Sequence, residues 1–322
     1  MKRIIYAVAA GLWLSMTPAA SAQTYPSRPI RIIIPYSPGG IVDFAGRVLG
    51  KKLGDLLNQT VVPENRPGAG GITGTDTAVR AAPDGYTLLI MDPAIVINPT
   101  LQASVPYDLF KQVRALSIVS SSPEVLVVAP SMPINSVQEL LAYARKNPNA
   151  LNFASAGVGT TPHLAGELLK LKARIEATHL PYRSIGESYP DLITNRVQFA
   201  FSSIAGALPF TSSNQVRPIA TTGSRRSEVY PEIPTVMEAG IADFDIDLWL
   251  GIFAQADMPE GIAQQINRAL ATALKDEDLR KAFAKYGIEA RGTSLDEASK
   301  VISAEYLRWK EVIEAAGIKE AK

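Results

Sequence analysis

Several residue types that carry chemistry are rare or absent in this chain. It has no cysteine among its 322 residues, which excludes disulfides, thiol nucleophiles and thiolate metal ligands. Its two histidines, His163 and His179, lack H-x-x-x-H spacing, so a zinc site is not predicted. The net charge of +1 argues against nucleic-acid binding, which usually needs a strongly basic surface. We therefore expect neither a metal nor a nucleic-acid partner.

Nucleotide-binding and hydrolase motifs are also missing. The cluster Gly68-Ala69-Gly70 is followed by Thr73 where G-x-G-x-x-G requires glycine. The cluster Gly157-Val158-Gly159 is followed by Pro162 at the same place. Neither continues into the Gly-Lys-Ser/Thr of a P-loop, and no G-x-S-x-G string marks a serine nucleophile. No cofactor is predicted.

Residues 1–22 have the pattern of a secretory signal peptide. Lys2 and Arg3 precede a mostly apolar stretch over 4–16, and Ala20-Ser21-Ala22 is an A-x-A cleavage site. Cleavage after Ala22 predicts a protein that functions outside the cytoplasm. An uncleaved membrane anchor is the alternative, but the apolar stretch is shorter than the roughly 20 residues that a spanning helix needs.

Apolar runs alternate with segments of helical periodicity along the rest of the chain. The first unit is a strand at 30–34, a Gly-rich turn at 35–40 and a helix at 41–57. Such alternation is typical of a mostly parallel α/β sheet. A second α/β unit begins near Val125. Further predicted strands lie at 60–63, 86–91, 125–129, 151–154, 177–180, 197–201, 217–221 and 245–254, and three helices at 262–274, 277–286 and 295–316 close the chain.

Three glycine-rich turns follow predicted strands and open helices: residues 37–40, 68–74 and 155–161. Free backbone N–H groups and the positive end of the helix dipole make such turns suitable for anions. In open α/β sheets, ligands bind beyond the carboxyl ends of the strands. Ordinary turn and cap chemistry is the alternative for each turn taken alone.

Individual side chains near these turns allow two interpretations each. Asp43, in the first turn of a predicted helix, could stabilise the helix dipole or orient the glycine loop or a ligand-bound water. His163, at a helix start, could donate to a ligand or pack the turn. Tyr36 and Tyr182 each follow a proline at a strand end and could form the wall of a pocket, whereas Trp249 is better explained as a core residue.

Taken in order, these motifs resemble those of the Bug-type periplasmic solute-binding receptors that serve tripartite tricarboxylate transporters. No single string is decisive, but the ordered set is specific and covers essentially the whole chain after the signal peptide. The strings are Tyr25–Ile30, Pro35–Gly40 with Asp43, Glu64–Gly71, Ala82–Leu88, Pro106–Asp108, Ser155–Thr160, His163–Glu167, Pro181-Tyr182 and Pro234–Gly240.

The resemblance implies an α/β, two-lobed periplasmic-binding-protein fold, type II-like, that closes on its ligand as a Venus flytrap. Two crossover strands between the lobes map to about Val125–Ala129 and Ile246–Ala254. Lobe 1 would comprise residues 23–124 plus 247–322, and lobe 2 residues 125–246. By the same analogy we expect a monomer whose partners are membrane transporter subunits.

The resemblance also implies a small carboxylate ligand, held by backbone amides and hydroxyls of both lobes. Carried over residue by residue, the expected ligand contacts are Tyr36, Ser37, Pro38, Gly39, Gly40 and Asp43 in lobe 1, and Ser155, Ala156, Gly157, Thr160, Thr161, His163, Tyr182 and Ser202 in lobe 2.

This chain departs from the family pattern where Ile41-Val42 replaces the usual Ser-Thr, and where Ser202-Ser203 follows a strand that often ends in an acidic residue. We therefore expect a more apolar pocket rim and a preference for an apolar-bodied or aromatic carboxylate over a cationic amino acid. Two alternative functions are a ligand-sensing accessory protein for a signalling system and an exported hydrolase. The missing nucleophile motif weighs against the hydrolase.

Overall fold

The computed structural model describes residues 25–102 and 104–318. The predicted signal peptide, its cleavage site and Gln23 lie outside the described residues. Within the described ranges, none of the helices is both long and apolar enough to cross a membrane.

Strands and helices alternate over most of the chain, as the sequence predicts. The strands are β1 Ile30–Ile34, β2 Val61–Asn65, β3 Thr87–Met91, β4 Val113–Ser121, β5 Glu124–Val128, β6 Asn152–Ser155, β7 Thr178–Pro181, β8 Phe199–Ser203, β9 Arg217–Thr221, β10 Leu250–Gln255 and β11 Glu289–Ala290. The helices are α1 Ile41–Leu57, α2 Ile72–Val79, α3 Ala94–Leu101, α4 Leu109–Gln112, α5 Val137–Lys146, α6 Thr161–Ala173, α7 Tyr189–Ile193, α8 Ile204–Ser212, α9 Glu260–Ala273, α10 Glu277–Ala284 and α11 Leu295–Ala315.

The strands form two sheets. The first has the order β11-β4-β10-β3-β1-β2, in which β1 is parallel to β2 and β3, while β10 runs antiparallel between β3 and β4. The second has the order β7-β6-β8-β5-β9, with β6 parallel to β7 and β8 and with β5 antiparallel to both of its neighbours. Four isoleucines of β1 have no exposed surface, because helices cover both faces of the first sheet.

The chain passes twice between the sheets, which confirms two crossings but corrects their position. The first crossing lies between Ser121 and Glu124, where Pro123 has no N–H to continue the ladder of β4. Residues 125–128 therefore belong to the second sheet, and Ala129 directly follows β5. The second crossing runs from Thr222 to Trp249, so residues 246–249 belong to the connector and β10 begins only at Leu250.

The two crossings lie side by side. Pro123 and Asp247 form an antiparallel bridge, and the Leu248 N–H donates to the Ser122 carbonyl at 3.0 Å. The Thr222 hydroxyl donates to the Ile246 carbonyl at 2.6 Å and accepts from the Glu124 N–H at 2.8 Å. These bonds join both crossings into one narrow, hydrogen-bonded connection.

The C-terminal helix α11 packs against α3 and β4 and also against α6, so it contacts elements attached to both sheets. Trp309 on this helix has no exposed surface, and Trp249 is buried, as its expected core role requires. The indole N–H groups of both tryptophans donate to Glu305, at 3.2 and 3.0 Å. The division of the chain into two moving lobes at the predicted residues stays a prediction.

Candidate functional site

The carboxyl ends of the parallel strands in each sheet lie at the edge where the chain crosses over. In the first sheet, β1, β2 and β3 end at the same edge as β4, which leads into the first crossing. In the second sheet, β6, β7, β8 and β9 end where β5 begins. The two glycine turns at residues 37–40 and 155–161 therefore lie on the edges that the crossings connect, where α/β sheets bind ligands.

The side chain of Asp43 stabilises the first turn through hydrogen bonds. Its Oδ2 accepts from the Gly39 N–H at 3.0 Å, while Asn65 Nδ2 donates to Asp43 Oδ1 at 2.8 Å and to the Tyr36 carbonyl at 3.0 Å. Hydrogen bonds from Arg47, together with those from Asn65 and Gly39, outweigh burial and lower the pKa of Asp43 to about 2. Asp43 thus orients the glycine loop, which is the sharper of the two roles that the sequence left open.

The turn itself is accessible. Ser37, Pro38, Gly39 and Gly40 are exposed, and Gly39 has a φ of +97°, a conformation that glycine adopts readily. Helix α1 begins directly after Gly40 without a side-chain cap, so the first-turn N–H groups have no side-chain acceptor. Val42 is buried in the core, so its side chain cannot change the polarity of the rim, and the expected apolar rim rests on Ile41 alone.

The second turn is stabilised by hydrogen bonds that involve its own hydroxyl groups and His163. The Gly157 N–H donates to Ser155 Oγ at 3.0 Å, and Thr160 Oγ1 donates to the Gly157 carbonyl at 2.7 Å. The Gly159 N–H donates to His163 Nδ1 at 3.0 Å. His163 is buried and accepts from the turn, which is its packing role. Helix α6 starts at Thr161, and its N-cap Thr160 makes no side-chain cap hydrogen bond.

The two histidines stack on one another beneath this turn. Their ring centroids are 3.9 Å apart, Phe153 stacks against both rings, and Ser155 Oγ lies 2.6 Å from His179 Nε2. Burial lowers the pKa of His163 to about 3, helped by His179 and Lys170, and burial lowers the pKa of His179 to about 4. Both imidazoles are neutral near pH 7, so they add no positive charge to the second turn.

The other predicted ligand contacts in the second sheet are less accessible to a ligand than the first turn is. Ser155 and Ser202 have no exposed surface, and Ser202 Oγ accepts from the Tyr189 hydroxyl at 2.9 Å. Tyr182 is half-buried, and its hydroxyl donates to Asp191 Oδ2 at 2.6 Å. Ala156, Gly157 and Thr160 are half-buried, whereas Thr161 is buried. Thus the accessible residues of this predicted set are Ala156, Gly157, Thr160 and Tyr182, each of them half-buried.

The structure adds Leu101 and Asp92, two residues that the sequence reasoning missed. Gly159 lies against Leu101 at the end of α3, so closely that a Cβ on Gly159 would be 2.2 Å from Leu101 Cδ2. This contact brings the second turn against an element of the first sheet. Asp92, directly after β3, accepts from the Tyr36 hydroxyl at 2.8 Å. A polar residue following a buried strand was the available signal for Asp92.

This chain is similar to known proteins in both sequence and fold. Residues 45–318 match the family model of the tripartite tricarboxylate transporter family receptor. Protein BugT of Bordetella pertussis is 33% identical over 301 residues, which cover 93% of this chain and 92% of BugT. The Rhodopseudomonas palustris protein Rpa4515, solved with adipate, is 28% identical with a TM-score of 0.76 over 92% of this chain and 99% of its own. MatC from the same organism, solved with bound malate, is 26% identical with a TM-score of 0.71 over 90% and 100%.

The match to the family model and the agreement with solved periplasmic proteins confirm the two-lobed α/β fold and imply a periplasmic location. This chain therefore belongs to the tripartite tricarboxylate transporter receptor family, within which it is similar to the Bug proteins.

Proposed function

We propose that this protein captures a small carboxylate between the turns at residues 37–40 and 155–161 and delivers it to the membrane subunits of a tripartite tricarboxylate transporter. The observation that carries the proposal is the pair of helix starts, α1 and α6, on the two sheet edges that the crossings connect. Each keeps first-turn N–H groups without a side-chain cap, which favours an anion. The adipate and malate bound to two similar proteins support a carboxylate.

The proposal can be tested by calorimetry and thermal shift with the mature protein, a panel of carboxylates and the uncharged amide of each acid. A carboxylate at a hundredfold excess over its Kd should stabilise the fold by about 2.7 kcal/mol, and its amide should have no effect. Absence of binding across mono-, di-, tri- and aromatic carboxylates, with the protein folded, would contradict the proposal.

Two glycines of the first turn provide a matched pair of variants. Gly39→Ala should weaken binding at least tenfold, because an alanine at a φ of +97° strains the turn. Gly40→Ala adds a methyl group that meets no protein atom within 4 Å at an ordinary φ of −81°. Gly40→Ala should therefore fold as the wild type does. Equal wild-type binding by both variants would place the ligand away from this turn.

We further propose that the protein acts as a monomer after cleavage following Ala22. Mass spectrometry of the protein from a periplasmic extract should give Gln23 as its first residue, and light scattering should give a single-chain mass. Loss of uptake of the identified ligand on deletion of the gene would support delivery to a transporter. Unchanged uptake with loss of a ligand-induced transcriptional response would support the sensing alternative instead.

The 2.6 Å contact between Ser155 and His179 is a feature that favours the hydrolase alternative, since it joins a hydroxyl to an imidazole. However, Ser155 is fully buried, and its oxygen already accepts from the Gly157 N–H. None of the described carboxylates hydrogen-bonds to His179 to orient it. We infer that binding involves no covalent step. Ser155→Ala should retain carboxylate binding, and an ester hydrolysis rate that depends on Ser155 would contradict this.

A further inference from the structure

Asp92 presents an open carboxylate oxygen beside the first ligand turn. It follows β3, which pairs with β1, so it lies next to the Tyr36 loop on the crossover edge of the first sheet. Its Oδ1 accepts both the Tyr36 hydroxyl at 2.8 Å and the Ala94 N–H at 3.0 Å. Its Oδ2 accepts no hydrogen bond from any other described residue, and Asp92 is half-buried.

The groups around Asp92 leave this acceptor without a protein donor. The Tyr36 hydroxyl and the Ala94 N–H both donate to Oδ1. Among the described residues, no lysine or arginine pairs with Asp92. Burial raises the pKa of Asp92, while the Tyr36 and Ala94 donors oppose that rise by stabilising the ionised form. The open oxygen is therefore complementary to a donor that comes from outside the protein.

We propose that Asp92 determines specificity by accepting a hydrogen bond from a hydroxyl or ammonium group on the ligand, at the end remote from the carboxylate that the glycine turns hold. When Asp92 is ionised, a ligand with a second carboxylate at that end meets like charge and binds more weakly. This inference rests on the proposed function and narrows its substrate class to amino- and hydroxy-substituted carboxylates. An aromatic body remains compatible with it, but a wholly apolar far end does not. The proposal also departs from the expectation, drawn from the sequence, that a cationic amino acid is disfavoured.

A matched ligand series tests the inference. Each set keeps one carboxylate and the chain length and varies only the other end as ammonium, hydroxyl, methyl or carboxylate. The six-carbon set is 6-aminohexanoate, 6-hydroxyhexanoate, hexanoate and adipate. The four-carbon set is 4-aminobutyrate, 4-hydroxybutyrate, butyrate and succinate, and the aromatic set is 4-aminomethylbenzoate, 4-hydroxymethylbenzoate, 4-methylbenzoate and terephthalate. In the set whose length fits, the wild type should bind the ammonium or hydroxyl member at least tenfold more tightly than the dicarboxylate.

Asp92→Asn is the informative variant. Its amide oxygen can still accept from Tyr36 and Ala94, so the local structure is retained, but its NH2 group replaces the open oxygen by a donor. The ratio of the dicarboxylate Kd to the ammonium Kd should fall at least tenfold in this variant. Asp296→Asn, which removes the same charge from an exposed ion pair with Lys300 on α11, should leave the ratio unchanged.

The outcomes separate this inference from the proposed function. Carboxylate binding with the same ligand order in the wild type and in Asp92→Asn would overturn the role of Asp92 and leave carboxylate capture intact. A wild type that prefers the dicarboxylate would also overturn it. Failure of every carboxylate to bind the folded wild type would overturn both proposals together.

Discussion

The stacked histidines should make the stability of this protein fall as the pH is lowered from 7.5 to 5.0. In the unfolded chain a histidine has a pKa of 6.5, whereas His163 and His179 in the folded protein have pKa values of about 3 and about 4. At pH 5 the unfolded state therefore binds protons that the folded state does not. Each histidine therefore lowers the unfolding free energy at pH 5 by about 2 kcal/mol relative to pH 7.5.

Urea unfolding of the wild type and of His179→Gln at both pH values measures this cost. The buried Trp249 and Trp309 report unfolding by their fluorescence. Carboxyl groups titrate in both proteins and cancel in the comparison, so the variant should lose about 2 kcal/mol less than the wild type between pH 7.5 and 5.0. His163 stays neutral at pH 5 in the variant, since burial is the main cause of its low pKa. The same pH dependence in both proteins would refute the reasoning.

Three further predictions concern the turns and the crossing. Asp43→Asn should lower the unfolding free energy by about 1–2 kcal/mol above pH 4 and weaken carboxylate binding, measured against Asp55→Asn on the exposed side of the same helix as the control. Gly159→Ala should lower the unfolding free energy by about 1–3 kcal/mol, because its Cβ meets Leu101 at a φ of +79°, and adding Leu101→Ala should recover the steric part only. Burial raises the pKa of Glu124 to about 8, so the destabilisation of the folded state by this residue grows from pH 4.5 to pH 8. Glu124→Gln should therefore raise the unfolding free energy by about 3 kcal/mol at pH 7 and by almost nothing at pH 4. A gain in unfolding free energy that does not vary with pH would contradict this assignment.

Much of the fold could be predicted because the local signals agree. The strand at 30–34 and the helix at 41–57 have the predicted bounds, since a β-branched run ends at Pro35 and Gly40 opens an amphipathic segment. Two helices were not predicted, because their local signals conflict. Helix α3 begins with the sequence Ala-Ile-Val-Ile-Asn-Pro, in which the β-branched residues favour a strand and Asn-Pro favours a turn. Helix α8 contains Pro209, which disfavours a helix interior. Tertiary packing overrides those preferences.

The crossings and Asp92 could not be located from local pattern. An apolar run such as 125–129 shows that a strand is buried, but it does not show which sheet the strand joins. Sheet membership depends on pairing with β8 and β9, about 75 and 90 residues later. Asp92 matches no motif, and its interest depends on the Tyr36 hydroxyl, 56 residues away along the chain. The turns at residues 37–40 and 155–161 were predictable as turns that open helices, because glycine and proline mark such turns locally.

The position of β10 has a consequence for the order in which an exported chain can fold. The second sheet is built from one continuous stretch, residues 124–221, so it can form as soon as that stretch has emerged. The first sheet cannot, because β10 lies between β3 and β4 and is the strand that joins them. Until residues 250–255 arrive, the sheet remains as two separate fragments with unpaired inner edges. The N-terminal strands of the first sheet can therefore complete their pairing only after β10 is available, and until then the unpaired edges of β3 and β4 are open to aggregation.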